Sequence, residues 1–443
     1  MQRKLEAPAA DGPLLEIRDL KTRFSLRGSF LDRLRGHEAG SVKAVDGVSF
    51  ELRRGEVLGV VGESGSGKTT LGRTLLGLVQ ASEGSIKLEG NEIAHLSERR
   101  MRPLRRRVQI VFQDPHASLN PALTIGASVG DPLSFHGVTS DRQAIRRRVA
   151  EALERVGLQP AGQFMDKYPG DLSGGQKQRA ALARAIILNP DLLIADEPVS
   201  MLDMSVRAKI LELMIDLKDE LDLTYLYITH DLATAKYFCD RIAIMYLGKI
   251  VEIGPSKEIY ENPRHPYTVS LLKAIPEPDP TKSVPRDLPR GEVPDAVSPP
   301  LGCPFHPRCP NAFEVCGWES RDLRTLLEDR WTRLGEEEYN AERKVIGDLD
   351  SLDDPGTVAR LEAAAGHGGE LAMDVIERMR AEAPDDPFWR GVEEMRTEPR
   401  QVVVRFHDGL EPRDVEVGHS RLQCHLYDDE ALARAKQAAA GET

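Results

Sequence analysis

Residues 62–70 read GESGSGKTT. This stretch fits the phosphate-loop pattern G-x-x-x-x-G-K-[ST], with a β-branched run before it at 57–61 and a helical pattern after it at 69–79. Glycines at such a turn let backbone N–H groups curl around phosphate oxygens at the start of a helix. The stretch therefore predicts a nucleotide site at a strand-to-helix turn. Its predicted binding residues are Gly62, Glu63, Ser64, Gly65, Ser66, Gly67, Lys68, Thr69 and Thr70.

Further apolar runs like VLGVV at 57–61 predict the rest of an α/β core. Their positions are 108–112, 191–196, 223–229 and 241–248. Continuous apolar runs suit strands that are buried on both faces of a largely parallel sheet. The amphipathic stretch at 204–221 predicts one of the helices that cover such a sheet. The fold class is therefore α/β of the phosphate-loop NTPase type, with a small α+β extension at the C-terminal end.

The 443 residues divide into three predicted parts. Residues 14–275 form the nucleotide-binding domain, with a polar, arginine-rich helical subdomain at about 114–172. Residues 276–301 are proline-rich and predict a stiff linker. Residues 302–443 form the C-terminal extension, which contains helical patterns at about 320–346 and 370–382 and a strand-like run at 401–406.

Charge and hydropathy limit the function classes. The whole net charge of −12 lies in residues 321–443, which hold 17 basic and 29 acidic residues. The remainder is balanced, so free nucleic acid is a poor partner, because phosphate backbones need a basic surface. No apolar run is long enough for a membrane helix, and the N-terminus lacks the apolar stretch of a secretory signal. Five cysteines in a chain expected to stay in the cytoplasm do not predict a disulfide framework.

The run DLLIADEP, residues 191–198, ends a predicted strand in two carboxylates. Adjacent strand residues point to opposite sides, so Asp196 and Glu197 can take different tasks. Asp196 suits the coordination shell of Mg²⁺, together with Thr69 and Gln113. Glu197 suits polarisation of the attacking water.

The most diagnostic stretch is DLSGGQKQR, residues 171–179. Ser173, Gly174, Gly175 and Gln176 open a predicted helix, which is a second place suited to an anion. Because the chain already has a phosphate loop, this site would serve a phosphate held by a second subunit. Here the sequence closely resembles the ATP-binding cassette family, whose signature is LSGGQ, and the resemblance covers residues 14–255.

The resemblance implies roles for several further residues. Gln113 in VFQDP matches the Q-loop, His230 in ITHDL the switch histidine, and Asp203 in SMLD the D-loop carboxylate. Phe24 is the candidate for an aromatic that stacks on adenine. The family mechanism is ATP hydrolysis, with Glu197, His230 and Gln113 as the catalytic residues. Two cassettes close head-to-tail, and each takes the Ser173–Gln176 signature from its partner.

The region after the core narrows the resemblance. Residues 254–280, with RHPYT at 264–268, resemble the extension of oligopeptide and dipeptide importer ATPases. That implies two permease subunits, an identical or paralogous ATPase and an extracytoplasmic solute-binding protein as partners. It also implies a peripheral location on the cytoplasmic face of the plasma membrane. Nickel or oligosaccharide importers of the same group, and cassette ATPases of DNA repair or translation, remain alternatives.

Three closely spaced cysteines lie beyond the core, in GCPFHPRCPNAFEVC at 302–316. Cys303, Cys309 and Cys316 do not have the spacing of common zinc or ferredoxin motifs. Three thiols in a proline-rich segment still indicate a soft-metal site that needs a fourth ligand. Cys424 is the candidate, with His306 and His425 as alternatives, and iron–sulfur, zinc and no metal all remain open. Cys239 is expected to be a small buried apolar residue.

In importer relatives, a segment like CPFHPRCPNAFEVC is followed by a CHLY-like ending, and the four cysteines hold a [4Fe–4S] cluster. That resemblance implies a cluster on Cys303, Cys309, Cys316 and Cys424. A third hypothesis, a redox-sensing regulator, would rest on the same cluster. In this chain 107 residues separate Cys316 from Cys424. An acidic insertion at about 325–410 accounts for the extra length, and the sequence predicts no function for it.

Overall fold

The computed structural model describes residues 12–26, 40–114, 118–275 and 291–440. The chain divides into two compact units, Met1–Asn262 and Pro263–Thr443. Most of the long excursion at 27–40 and of the linker at 276–301 lies outside the described residues. None of the described helices combines the length and the apolar character needed to cross a bilayer.

The first unit contains two sheets. The strands are β1 Leu15–Ser25, β2 Ser41–Leu52, β3 Val57–Val61, β4 Glu83–Leu88, β5 Asn91–Glu92, β6 Val108–Val111, β7 Leu192–Asp196, β8 Thr224–Thr229, β9 Arg241–Tyr246 and β10 Lys249–Pro255. An antiparallel sheet has the order β2-β1-β4-β5. The core sheet runs β10-β9-β3-β8-β7-β6. Its strands are parallel except for β10, which pairs with β9 in the antiparallel sense.

The predicted core strands are confirmed. Strands β3, β7 and β8 are buried at every position, which explains why their sequences read as unbroken apolar runs. Because these three strands are parallel, their carboxyl ends meet at one edge of the sheet. The phosphate loop follows β3, Glu197 follows β7 and His230 follows β8. The fold thus brings three separate motifs of the sequence to the same edge.

Helices complete the first unit. They are α1 Lys68–Leu75, α2 Glu98–Leu104, α3 Ile125–Phe135, α4 Arg142–Arg155, α5 Gly162–Met165, α6 Gly174–Ile186, α7 Met204–Leu221, α8 Leu232–Phe238 and α9 Ser256–Glu261. Helices α3 and α4 pack against each other and against α6, the helix that begins at the signature. Helix α7 has the bounds that the amphipathic pattern predicts.

The second unit is an α+β assembly. Its helices are α10 Pro266–Lys273, α11 Ser320–Trp331, α12 Glu336–Val345, α13 Gly369–Glu382 and α14 Asp429–Ala440. Its strands are β11 Val358–Glu362, β12 Val392–Glu398, β13 Gln401–Phe406, β14 Asp414–Val417 and β15 Ser420–Gln423. Strands β11, β13 and β12 form an antiparallel sheet against which α13 packs, and β14 and β15 form a hairpin.

The boundary between the units lies thirteen residues before the predicted domain end at 275. The reason is the packing of α10. The Tyr267 ring lies 5.2 Å from that of Phe305, and the Tyr427 hydroxyl donates to the Arg264 carbonyl at 3.2 Å. Residues 263–275 therefore belong with the C-terminal unit, although they follow the last core helix directly in sequence.

Candidate functional site

At two glycines of the phosphate loop, Gly62 and Gly67, any side chain would clash with neighbouring backbone. Gly67 has φ +101°, and a Cβ there would lie 1.9 Å from the Ala44 carbonyl oxygen. A Cβ at Gly62 would lie 2.1 Å from the Met245 carbonyl oxygen. The loop is therefore closely packed against the neighbouring backbone, which fixes its conformation.

Lys68 lies within this loop as the first residue of α1 and is 5% exposed. Its ammonium group donates to the carbonyl oxygens of Gly62 and Glu63, both at 2.8 Å. Burial lowers the pKa of Lys68, while the carboxylates of Glu197 and Asp196 act in the opposite direction. The cation is thus held at the loop by acceptors that phosphate oxygens can replace.

Thr69 and Asp196 connect the loop to β7. The Thr69 hydroxyl donates to the Asp196 carboxylate at 3.0 Å. Burial raises the pKa of Asp196, and the Thr69 hydrogen bond opposes that shift. A hydroxyl and a carboxylate oxygen at this distance are hard ligands of the type that Mg²⁺ prefers.

Glu197 is the meeting point of three predicted residues. Its carboxylate accepts from the Gln113 amide at 2.9 Å and lies 3.1 Å from Nδ1 of His230. Its backbone has φ +48°, and its N–H donates to the Ile228 carbonyl at 2.8 Å. Because a non-glycine residue rarely adopts that conformation, the structure aims this side chain away from the ordinary strand direction.

The signature opens α6 as a capped helix start. The Ser173 hydroxyl accepts from the Gln176 N–H at 3.4 Å, and the Gln176 side chain accepts from the Ser173 N–H at 3.0 Å. This reciprocal capping box leaves the first N–H groups of the helix available for an anion. A Cβ at Gly175 would lie 2.7 Å from the Val206 side chain, so the second glycine permits close packing against α7.

Two residues near the site were missed from the sequence. Arg207 donates to the Asp231 carboxylate at 3.2 Å and to the Leu202 carbonyl at 3.3 Å. It therefore connects the D-loop with the segment that follows His230. Asp231 also caps α8 by accepting from the Ala233 N–H at 2.8 Å. The signal that could have found it is an aspartate directly before a helical pattern.

Two further predicted residues make no comparable contact with this cluster. Asp203 precedes α7 and makes no side-chain capping hydrogen bond. Phe24 lies near the end of β1, is 42% exposed and pairs across the strands with Val42. Their predicted roles both concern a bound nucleotide or a second subunit.

The four predicted cysteines of the C-terminal unit line one cavity. Cys303, Cys309, Cys316 and Cys424 share it with apolar and aromatic side chains, and its empty space is about 280 Å³ including the part open to solvent. None of the chain's five cysteines forms a disulfide. Residues more than 100 positions apart thus meet, with the insertion folded between them. Cys239 is buried in the first unit, as predicted.

The four thiols that line the cavity are soft ligands, which suit a soft metal rather than Mg²⁺ or Ca²⁺. Burial raises the pKa of Cys309 to about 12 and holds that of Cys316 well above its usual value, so these two thiols are protonated near neutral pH. Within the described ranges, no three Cys, His, Asp or Glu side chains are arranged around a point that a single metal ion could occupy. In an iron–sulfur cluster the cysteines bind different irons, so their sulfurs need not converge on one point.

His306 is not available as a fourth ligand. Its Nδ1 lies 2.9 Å from the Cys303 carbonyl oxygen, and its Nε2 lies 2.9 Å from the Asp322 carboxylate. Burial alone would lower the pKa of His306, but the Asp322 carboxylate and these hydrogen bonds raise it. For His425, Nε2 lies 3.0 Å from the Leu410 carbonyl oxygen, and burial lowers its pKa.

Comparisons with known proteins agree with this geometry. Residues 45–200 match the family model described as ABC transporter. Residues 251–316 match the model described as oligopeptide/dipeptide transporter, C-terminal region. Neither match extends beyond Cys316, so the insertion lies outside both.

Individual relatives are similar over most of the chain. The oligopeptide transport ATP-binding protein AppF of Bacillus subtilis is 47% identical over 306 residues, which are 68% of this chain and 91% of AppF. The glutathione import ATP-binding protein GsiA of Salmonella paratyphi A is 47% identical over 305 residues, 66% of this chain and 48% of GsiA. The solved structure of cbiO1 from Clostridium perfringens, part of the ABC transporter complex cbiONQ, is 28% identical, with a TM-score of 0.48 over 57% of this chain and 92% of cbiO1.

The AppF match covers nearly the whole of that relative, and the two family models match the cassette and its extension separately. This chain belongs to the ABC transporter ATPases, in the group whose members carry the oligopeptide/dipeptide transporter C-terminal region.

Proposed function

We propose that the chain is the ATP-hydrolysing subunit of an importer that takes up oligopeptides or dipeptides through partner permeases. The observation that carries the proposal is the cluster at the carboxyl edge of the core sheet. Buried Lys68, the Thr69–Asp196 pair and the Gln113–Glu197–His230 group lie there together. Phosphoryl transfer to water requires this combination of a cation, hard oxygen ligands and a base.

The phosphate loop would bind the phosphates of ATP before hydrolysis. Lys68 exchanges its two backbone acceptors for the β- and γ-phosphate oxygens, so that no new cation has to be desolvated when ATP binds. Thr69, Asp196 and Gln113 would hold Mg²⁺, which supplies neutralisation of the phosphate charge. Phe24, at the exposed end of β1, would stack on the adenine ring.

Glu197 is the residue that acts on water. One of its carboxylate oxygens accepts from the Gln113 amide, and the other lies beside Nδ1 of His230. A Gln113 side chain that held Mg²⁺ would leave one Glu197 oxygen available to accept a proton from water. His230 can then turn toward the γ-phosphate, since its side chain is 52% exposed. The same residues thus report whether the γ-phosphate is present.

The signature completes the site from a second subunit. The capped start of α6 offers N–H groups and a favourable helix dipole to the γ-phosphate of the partner's nucleotide. Asp203 lies at the start of α7, beside exposed Met201 and Met204, where a second cassette would close. The second ATPase is an identical or a paralogous chain.

The extension supports the choice of solute. The 251–316 match and the AppF similarity favour peptides, and the GsiA similarity favours a small peptide such as glutathione. The partners would be two permeases and an extracytoplasmic solute-binding protein. The chain would lie peripherally on the cytoplasmic face of the plasma membrane. The alternatives are uptake of nickel or oligosaccharides by the same machinery.

Uptake in cells tests this proposal. A strain that lacks the gene is complemented with wild type or with Glu197→Gln, and the uptake of a labelled dipeptide, a pentapeptide, nickel and an oligosaccharide is measured. Peptide uptake restored by wild type alone supports the proposal. If wild type restores uptake of nickel or the oligosaccharide alone, the solute is not a peptide. If uptake is unchanged for every solute, the chain does not act in transport.

We further propose that the cysteine cavity holds a [4Fe–4S] cluster on Cys303, Cys309, Cys316 and Cys424. Support comes from the four soft ligands in one cavity and from the Phe313 N–H, which donates to the Cys316 sulfur at 3.4 Å. Iron must displace the thiol protons, so loading releases acid. Anaerobic purification with iron and sulfide assays and a visible spectrum tests it. Colourless, iron-free protein after reconstitution would contradict the cluster.

A further inference from the structure

The turn that carries Cys303 and Cys309 is held from inside by His306. The ring is 1% exposed, and each of its nitrogens faces one oxygen acceptor at 2.9 Å. One acceptor is the Cys303 carbonyl, and the other is the Asp322 carboxylate. A ring bonded at both nitrogens has a fixed orientation, so the position of Asp322 determines the position of the turn.

Asp322 belongs to the helix that leads into the insertion. It lies in the first turn of α11, and the same carboxylate oxygen accepts from the Glu319 N–H at 2.9 Å. The helix start and the histidine therefore share one carboxylate. The start of α11 cannot move without moving His306.

Trp318 makes a second connection between the insertion and the turn. Its ring lies 5.0 Å from that of His306 and 5.8 Å from that of Phe388, and its Nε1–H donates to the Phe313 carbonyl at 2.9 Å. Within the insertion, a Cβ at Gly391 would lie 2.1 Å from the Trp318 ring. Gly391 of the insertion therefore lies against the ring of Trp318, which in turn packs against His306.

The hydrophobic core of the second unit also connects the insertion with the cysteine cavity. Cys316 and Trp318 belong to one buried cluster with Phe388, Val404 and Phe406 of the insertion, and Cys309 packs against it. Since side chains in such a core are close-packed, a displacement on one side is felt on the other.

We propose that the acidic insertion is the scaffold of the cysteine cavity, with Asp322 and Trp318 as positioning residues that act on the Cys303–Cys309 turn through His306. The insertion, which has no counterpart in either family model, then has a function of its own. It keeps the cavity closed whether or not a cluster is bound, so this inference does not depend on the cluster.

Pulse alkylation of the metal-free, reduced, full-length chain tests the inference. Iodoacetamide labelling is followed by mass spectrometry, and the rate is measured for each cysteine separately. The test variants are Asp322→Ala, Asp322→Asn and Gly391→Ala. The controls are Glu328→Gln, on the exposed face of α11, and Gly335→Ala, where an added Cβ meets nothing within 4 Å. Cys239, in the other unit, is the internal reference.

We expect Asp322→Ala and Gly391→Ala to raise the labelling rates of Cys303 and Cys309 by about tenfold or more, because a buried charged hydrogen bond or the packing of Trp318 is lost. Asp322→Asn retains an acceptor oxygen and should restore part of the protection. The controls and Cys239 should match wild type. All three tryptophans, Trp318, Trp331 and Trp389, lie in the second unit, so their emission reports whether that unit stays folded.

Equal labelling rates in Asp322→Ala, Gly391→Ala and the controls would overturn the inference. If Gly391→Ala loses native tryptophan emission, the Asp322 series decides alone. Protection that Asn restores supports positioning, whereas equal loss with Ala and Asn would reduce Asp322 to an element of general stability and contradict the proposed role.

Discussion

Replacing Ser173 by alanine separates the two tasks of the signature. Within the chain, Ser173 caps α6 through its hydrogen bond with the Gln176 N–H. Loss of an N-cap of this kind costs about 1 kcal/mol. For a unit of this size that corresponds to a decrease of about 2–4 °C in melting temperature. Asp141, which caps α4 by accepting from the Gln143 N–H at 3.0 Å, is the matched site for a control.

The assay compares three quantities in Ser173→Ala and Asp141→Ala: melting temperature, ATP affinity of the monomer and steady-state ATP turnover. Both variants should lose similar stability and keep wild-type affinity, because the chain's own phosphate loop is unchanged. Turnover should fall only in Ser173→Ala, by about tenfold, since one hydrogen bond to a charged phosphate is lost. Equal turnover in the two variants would refute the assignment of Ser173 to the partner's nucleotide.

Two further predictions follow from the packing. Gly62→Ala should abolish ATP binding and lower the melting temperature more than Gly65→Ala. A Cβ at Gly62 would lie 2.1 Å from the Met245 carbonyl oxygen, whereas at Gly65 the Cβ meets nothing within 4 Å and only the φ of +81° strains the backbone. The reverse order in a binding and melting assay would contradict the loop geometry. Asp428 caps α14, and its hydrogen bond from Arg413 holds its pKa at about 2. That carboxylate stabilises the second unit above about pH 4, and its contribution is lost as pH falls toward 2. Asp428→Asn keeps a capping oxygen but loses the charge that Arg413 binds, so it should destabilise the unit by about 0.5 kcal/mol at pH 7 and hardly at all near pH 2. The measurement is urea unfolding with tryptophan emission, and a difference that is independent of pH would count against this contribution.

Much of the nucleotide site could be predicted because each part follows a buried strand. Unbroken apolar runs predict β3, β7 and β8. Glu197 and His230 directly follow two of these strands, and Lys68 ends the loop that follows the third, so all three are expected at the same sheet edge. The hydrogen-bond partners of those side chains could not be predicted. That Lys68 binds the Gly62 and Glu63 carbonyls, and that Gln113 and His230 both bind Glu197, depends on distances that no motif contains.

Less of the C-terminal unit could be predicted from the sequence. The meeting of Cys424 with the other three cysteines came from a family resemblance, and the residues between them gave no signal for it. The assignment of Tyr267 to this unit depends on its contact with Phe305, and the anchoring of His306 depends on Asp322. Such long-range partners are set by tertiary packing, so local periodicity does not reveal them.

If Glu197 activates water for ATP hydrolysis, its replacement by glutamine should stop turnover without weakening ATP binding. ATP turnover and ATP binding are measured for wild type, for Glu197→Gln and for Glu212→Gln, an exposed glutamate of α7. We expect unchanged ATP affinity in all three proteins and a loss of turnover of about 100-fold or more in Glu197→Gln alone. Wild-type turnover in Glu197→Gln would contradict this role of Glu197.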